Sequence, residues 1–208
     1  MIMKRIAVIC FCLYVLYFLT FMISVKREKS DAFPGVPEEL SKKENYLCEI
    51  SDFCVNDGLI YLLFDDKGVI QIFDEKGIYQ KSFAFYAAQN GKSGLRIMGD
   101  DVLLFDKRKN CYKFVRGDFC EYLELDNDQY LRLVGQCEER HQQIASEKGN
   151  YYLKGASLFR KNADVTDEII IKRPMLATLF QGNLRLWIEA VLMIFAVFFI
   201  MISKKFVK

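Results

Sequence analysis

The sequence predicts an all-β middle domain, an antiparallel meander of short strands, flanked by two transmembrane α-helices. Three observations predict it. Two apolar blocks stand near the ends of the 208-residue chain. Between them, short apolar and aromatic runs alternate with Asp/Gly turns. That alternation then recurs along the chain.

The first block, residues 6–25, reads IAVICFCLYVLYFLTFMISV, without a charge. At about 1.5 Å per residue, twenty helical residues span roughly 30 Å, the hydrocarbon thickness of a bilayer. A cleaved signal peptide has a shorter apolar core, of about 7–15 residues, followed by a small-residue cleavage site. Here Lys26, Arg27 and Glu28 follow instead, so the block is expected to stay as a signal-anchor. Cys10 and Cys12 are expected to be small apolar residues within it.

Residues 26–45 are polar and contain Pro34, Gly35 and Pro37, the composition of a linker. From Tyr46 to Lys172 the texture is that of strands. LIYLLF (59–64) follows Asn56-Asp57-Gly58, VIQIF (69–73) follows Asp65-Asp66-Lys67-Gly68, and IYQKSFAF (78–85) follows Asp74-Glu75-Lys76-Gly77. Runs rich in Ile, Val, Phe and Tyr between such turns signal hairpins. The pattern returns in DVLLFD (101–106), CYKFVR (111–116) and FCEYLEL (119–125), and again in NYYLKG, SLFRKN and TDEIII toward residue 171.

The stretch GLIYLLFDDKGVIQIFDEKGIYQKSFAF resembles a blade of the NHL and quinoprotein-like β-propeller repeats. There an Asp-Gly turn leads to one strand, and a strand ending in Phe-Asp leads to the next turn. The resemblance implies units of about four strands recurring every 40–50 residues. Closed propellers need about four to eight blades, and this domain has length for three. An open meander, a stack of small sheets or an oligomer is therefore expected, and a dimer of three-unit chains would complete a six-unit ring. A single antiparallel domain whose hairpins merely look alike is the plainer alternative.

The second block, residues 185–203, carries the interfacial Trp187 and an Arg185–Glu189 pair one helical turn apart. The tail 204–208 is basic. Of the 29 Lys and Arg, 23 lie in residues 26–183, together with 26 of the 27 Asp and Glu, a net charge near −3. Purely basic tails favour a two-pass cell-membrane protein with both termini cytoplasmic and the β-domain extracytoplasmic. The domain's five cysteines, Cys48, Cys54, Cys111, Cys120 and Cys137, are odd in number and show no framework spacing.

No catalytic, cofactor-binding or metal-ligating residue is assigned, and no cofactor is expected. Gly91-Lys92-Ser93 lacks the earlier glycine of a phosphate loop, because position 86 is Tyr. The acidic turns Asp65-Asp66, Asp74-Glu75 and Asp126-Asn127-Asp128 lack the spacing of a calcium loop, and Asp and Asn suit turns for backbone reasons. His141, the single histidine, lies four residues after Cys137 in a polar run. A Cys–His site needs an orienting partner that nothing there supplies. The basic tip Lys107-Arg108-Lys109 is too small to offset a net acidic domain, so nucleic acid is not an expected partner.

The expected partners are the lipid bilayer, an unknown protein or carbohydrate ligand, and a second copy in a homo-oligomer. These features suggest a membrane-tethered, non-catalytic interaction or sensing protein. The alternative is a structural accessory subunit of a larger membrane complex.

Overall fold

The chain is described here from a computed structural model covering residues 2–24, 35–86, 93–106, 108–135, 143–146, 148–161, 167–179, 187–195 and 197–198. Thirteen strands, three helices and further helical residues at 187–195 and 197–198 lie in these segments. Helix α1 is Ile2–Ser24. The strands β1 (Glu38–Glu39), β2 (Asp52–Asn56), β3 (Leu59–Phe64), β4 (Val69–Asp74) and β5 (Tyr79–Ala84) form the first sheet, in the order β1-β5-β4-β3-β2. A second sheet holds β6 (Gly94–Met98), β7 (Asp101–Phe105), β8 (Asn110–Val115) and β9 (Asp118–Glu124) in sequence order. After helix α2 (Asn127–Gly135) comes a third, with β10 (Gln143–Ser146), β11 (Gly149–Lys154), β12 (Ser157–Lys161) and β13 (Asp167–Ile171), again in sequence order. Helix α3 (Met175–Leu179) follows.

Every strand pairing is antiparallel, so the expected all-β meander stands. It is divided into three four-stranded units, the first extended by β1. The turns follow from their residues. Asp57 and Gly58 lie between β2 and β3 with φ of 47° and 75°. Positive φ at both central positions gives the two-residue turn whose twist matches paired strands, and Asp-Gly tolerates it best.

The first sheet is the middle layer. Along β3 the side chains alternate between two cores, as a period of two requires. Ile60, Leu62 and Phe64 pack with Tyr151, Leu158, Ile170 and Ile171 of the third sheet. Tyr61 and Leu63 pack with Leu95, Val102, Leu104, Tyr112 and Phe114 of the second. This explains why LIYLLF has no polar position: both its faces are covered. Strand β2 touches both β6 and β10, so the opening strands of the three units share the inner edge of a stack ordered third–first–second.

The two seams are built alike. Phe83 and Phe114 cross the first–second seam with ring centroids 5.4 Å apart, and Phe85 and Tyr112 at 5.7 Å. At the periphery Lys81 pairs with Asp118. The third–first seam is apolar inside and carries the pair Lys148–Glu75 outside. Gly77, at the β4–β5 turn, lies against the Ile170 carbonyl of β13, where a Cβ has no room.

Buried polar groups tie the seams together. Asp52 Oδ2 accepts a 2.9 Å hydrogen bond from the Leu95 amide, and Ser93 Oγ donates to Asp65 Oδ1 at 2.7 Å. Arg173, just past β13, donates to the carbonyls of Tyr46 and Cys48 and lies 5.1 Å over the Phe64 ring. It latches the third sheet to the segment leading into β2.

Two expectations need correction. Among the described residues, no helix is long and apolar enough to cross a membrane. Helix α1 covers much of the first block, but its first turns include Lys4 and Arg5. In the second block helix is described over 187–195 and 197–198. The flanking transmembrane helices, the signal-anchor and the two-pass cell-membrane location are therefore not supported. The repeat units are also sheets of an open stack, without a recognised propeller.

Candidate functional site

The residues that might have carried chemistry are placed first. Asp74, Asp106 and Asp126 serve their own turns, whereas Asp65 Oδ1 accepts from Ser93 Oγ. Asp74 Oδ1 accepts from the amides of Lys76 and Ile78 at 2.9 and 2.8 Å. Asp106 accepts from the amides of Arg108 and Asn110 and from Asn110 Nδ2. Asp126 and Gln129 exchange side-chain-to-amide bonds at 2.7 and 3.1 Å, a reciprocal cap at the start of α2. Among the described residues no cluster of His, Cys, Asp and Glu could hold a metal ion.

Of Gly91-Lys92-Ser93, only Ser93 falls within the described residues, where it is buried against Asp65. Cys137, His141, Lys107, Arg185 and the basic tail lie outside them, as do residues 26–34 of the 26–45 linker. The rest of the basic tip lines a cleft of about 440 Å³ with Tyr86, Asn110, Glu124 and Leu125. There the Arg108 guanidinium bonds the Tyr86 hydroxyl and lies 5.4 Å over its ring.

Cys48, Cys54 and Cys111 are free and buried; Cys120 is free and exposed. Burial pushes the Cys48 thiol up to about 12 and the Cys111 thiol up to about 11, and raises Cys54 well above its ordinary value. The nucleophile and metal ligand is the thiolate, so these three thiols are poorly suited to either role near neutral pH. Burial also pushes the Arg173 guanidinium down to about 10.

What the stack leaves uncovered is a face at each end. On the outward face of the second sheet, Leu103, Lys113 and Glu121 stand in one cross-strand row. With Met98, Gly99, Asp101 and Leu123 they line a shallow cleft of about 440 Å³. Lys113 Nζ is 2.6 Å from Asp101 Oδ2, which leaves the Glu121 carboxylate as further negative charge beside exposed Met98 and Leu123.

On the outward face of the third sheet, Tyr152, Phe159 and Ile169 form a continuous row across β11, β12 and β13. The rings of Tyr152 and Phe159 stack at 5.6 Å, with Lys154 Nζ 6.0 Å from the Phe159 centroid. Lys161 is exposed on the same strand as Phe159.

Neither face was singled out from sequence. NYYLKG and SLFRKN read as ordinary half-wet strands, and nothing local says which face a neighbouring sheet covers. Compared with known proteins, the chain matches no family model and has no significant match among curated proteins.

Proposed function

We propose that this chain is a non-catalytic interaction module that binds its partners through the two end faces of its three-sheet stack. One observation carries the reading. The middle sheet is covered on both faces, whereas each end sheet has one packed face and one outward face with large apolar side chains: Tyr152, Phe159 and Ile169 in register on the third sheet, and Met98, Leu103 and Leu123 in separate cross-strand rows on the second. Exposed apolar rows rimmed by charge are the ordinary signature of a binding surface. The buried polar groups favour it too: Asp52, Asp106 and Arg173 spend their hydrogen bonds on the chain's own backbone.

Site-specific photocrosslinking in the producing cells tests this. A benzophenone side chain would replace Leu123, Ile169 or, as a control, Ile78, an exposed apolar residue at the β4–β5 turn. Discrete adducts are expected at Leu123 and Ile169 and not at Ile78. Equal labelling at all three, or none at the two end faces, would refute the proposal.

A further inference from the structure

Resting on that reading, we infer that the partner of the two end faces is a second copy of this chain. The outward face of the second sheet in one copy meets the outward face of the third sheet in the other. Two such seams close two open stacks into one ring of six sheets.

The seams already present show what a seam in this molecule requires. Each has an apolar interior and at least one peripheral lysine–carboxylate pair, Lys81–Asp118 in one and Lys148–Glu75 in the other. The open ends hold parts of the same kinds. The second sheet offers Met98, Leu103 and Leu123 with the acid Glu121. The third offers Tyr152, Phe159 and Ile169 with the bases Lys154 and Lys161. Both faces carry both signs, with Lys113 beside Asp101 and Glu121 on the second sheet and Asp167 opposite Lys161 on the third, so a seam would set Glu121 of one copy against Lys154 of the other.

The direction of stacking agrees. In the order third–first–second, each seam joins a sheet to the next in one sense, so a further third sheet is what the second sheet's free face would take next. A heterologous contact of this kind gives a ring when the rotation closes. Six sheets lie within the about four to eight that close rings use.

The area is sufficient. Strands about 4.8 Å apart with about 3.3 Å per residue make each four-stranded face roughly 300 Å². Two seams cover four faces, on the order of 1,200 Å², at the threshold of a stable specific interface.

The test is the mass of the full chain by light scattering, in a mild non-ionic detergent that covers the exposed side chains of α1, with the detergent's contribution subtracted. A dimer is expected. Leu123→Arg and Ile169→Arg place a charge on opposite ends of the stack at side chains 38% and 50% exposed, so each should yield a monomer with an unchanged melting temperature. Should either variant melt early, the gentler pair Glu121→Lys and Lys161→Glu replaces it. Each of these should weaken the dimer at least tenfold.

A wild-type chain that stays monomeric up to 100-fold dilution series in the micromolar range overturns the inference, as does a dimer that persists in Leu123→Arg or Ile169→Arg. A monomer that still gives foreign adducts at Leu123 and Ile169 would sink the second copy while leaving the interaction module standing. Loss of adducts at both sites would sink the module itself.

Discussion

Gly77→Ala isolates the contact between the first and third sheets. Gly77 has φ of 75° in the β4–β5 turn. A Cβ there would stand 2.9 Å from the Ile170 carbonyl carbon and closer still to its oxygen. Two costs follow. An L-residue in the left-handed region costs roughly 1–2 kcal/mol. The second cost is displacement of β13, because the obstacle is backbone and cannot rotate away. Retreat of β13 also loosens Ile170 and Ile171, both buried in the shared core. Partial loss of two such side chains adds about 2 kcal/mol. Gly99→Ala is the matched control: φ is 63°, but no atom lies within 4 Å of its Cβ. Gly99→Ala should therefore cost about 1 kcal/mol and Gly77→Ala about 3 or more. For a chain of this size that means roughly 2–4 °C and 6–12 °C of melting temperature. Equal shifts for the two variants, read by calorimetry or urea titration, would refute the close approach of the turn to β13.

Further predictions concern the core, the latch and the thiols. Phe114→Ala empties the centre of the first–second seam beside Phe83 and Phe119 and should cost about 3–5 kcal/mol in urea unfolding. Arg173→Met leaves the carbonyls of Tyr46 and Cys48 without their donor; about 1–3 kcal/mol per orphaned group is expected, and limited proteolysis should cut the third sheet first. For pH, the sign is set by protons the folded state retains. An unfolded thiol titrates near 9.0, whereas folded Cys48 and Cys111 hold their protons to about 12 and about 11. Their stabilising contribution is complete below pH 9 and is lost as pH rises beyond it, by about 1.4 kcal/mol per unit for each thiol. Urea midpoints at pH 8, 9 and 10 should fall, and Cys48→Ala should flatten the fall. Peptide mapping after brief alkylation at pH 8 should find Cys120 modified and Cys48, Cys54 and Cys111 protected until unfolding, since Cys120 is exposed and the other three are buried.

The strands were legible because their code is local. Asp57-Gly58, Gly68 and Gly77 mark turns, and the apolar runs between them became β3, β4 and β5 almost to the residue. The unbroken apolar character of LIYLLF even implies two covered faces, since a strand with one wet face alternates. Stacking order was not legible, because it depends on residues far apart in the chain. Arg173 looks like one more basic residue ahead of the second block, yet it binds carbonyls some 125 residues earlier. Asp52 looks like a turn acid and instead receives an amide from another sheet. The end blocks show the opposite failure: hydropathy alone promised two spans, and among the described residues no helix has the length and apolarity to form one.

The placement of the polar groups also says what kind of object the stack is. A repeat unit of four strands cannot bury its own hydrophobic face, so units gain stability by covering one another. That logic is satisfied on both faces of the first sheet and on one face of each neighbour. In a free-standing three-unit array, the outer faces of the end units would have to be polar caps. Here they are mixed. Lys113, Asp101 and Glu121 wet one face, yet Leu103, Leu123 and Met98 share it. On the other, Tyr152 and Phe159 stack and Ile169 extends their row. Side chains of this size in register across three strands resemble the inner seams more than a solvent face, and covering them continues the pattern that the two internal seams begin.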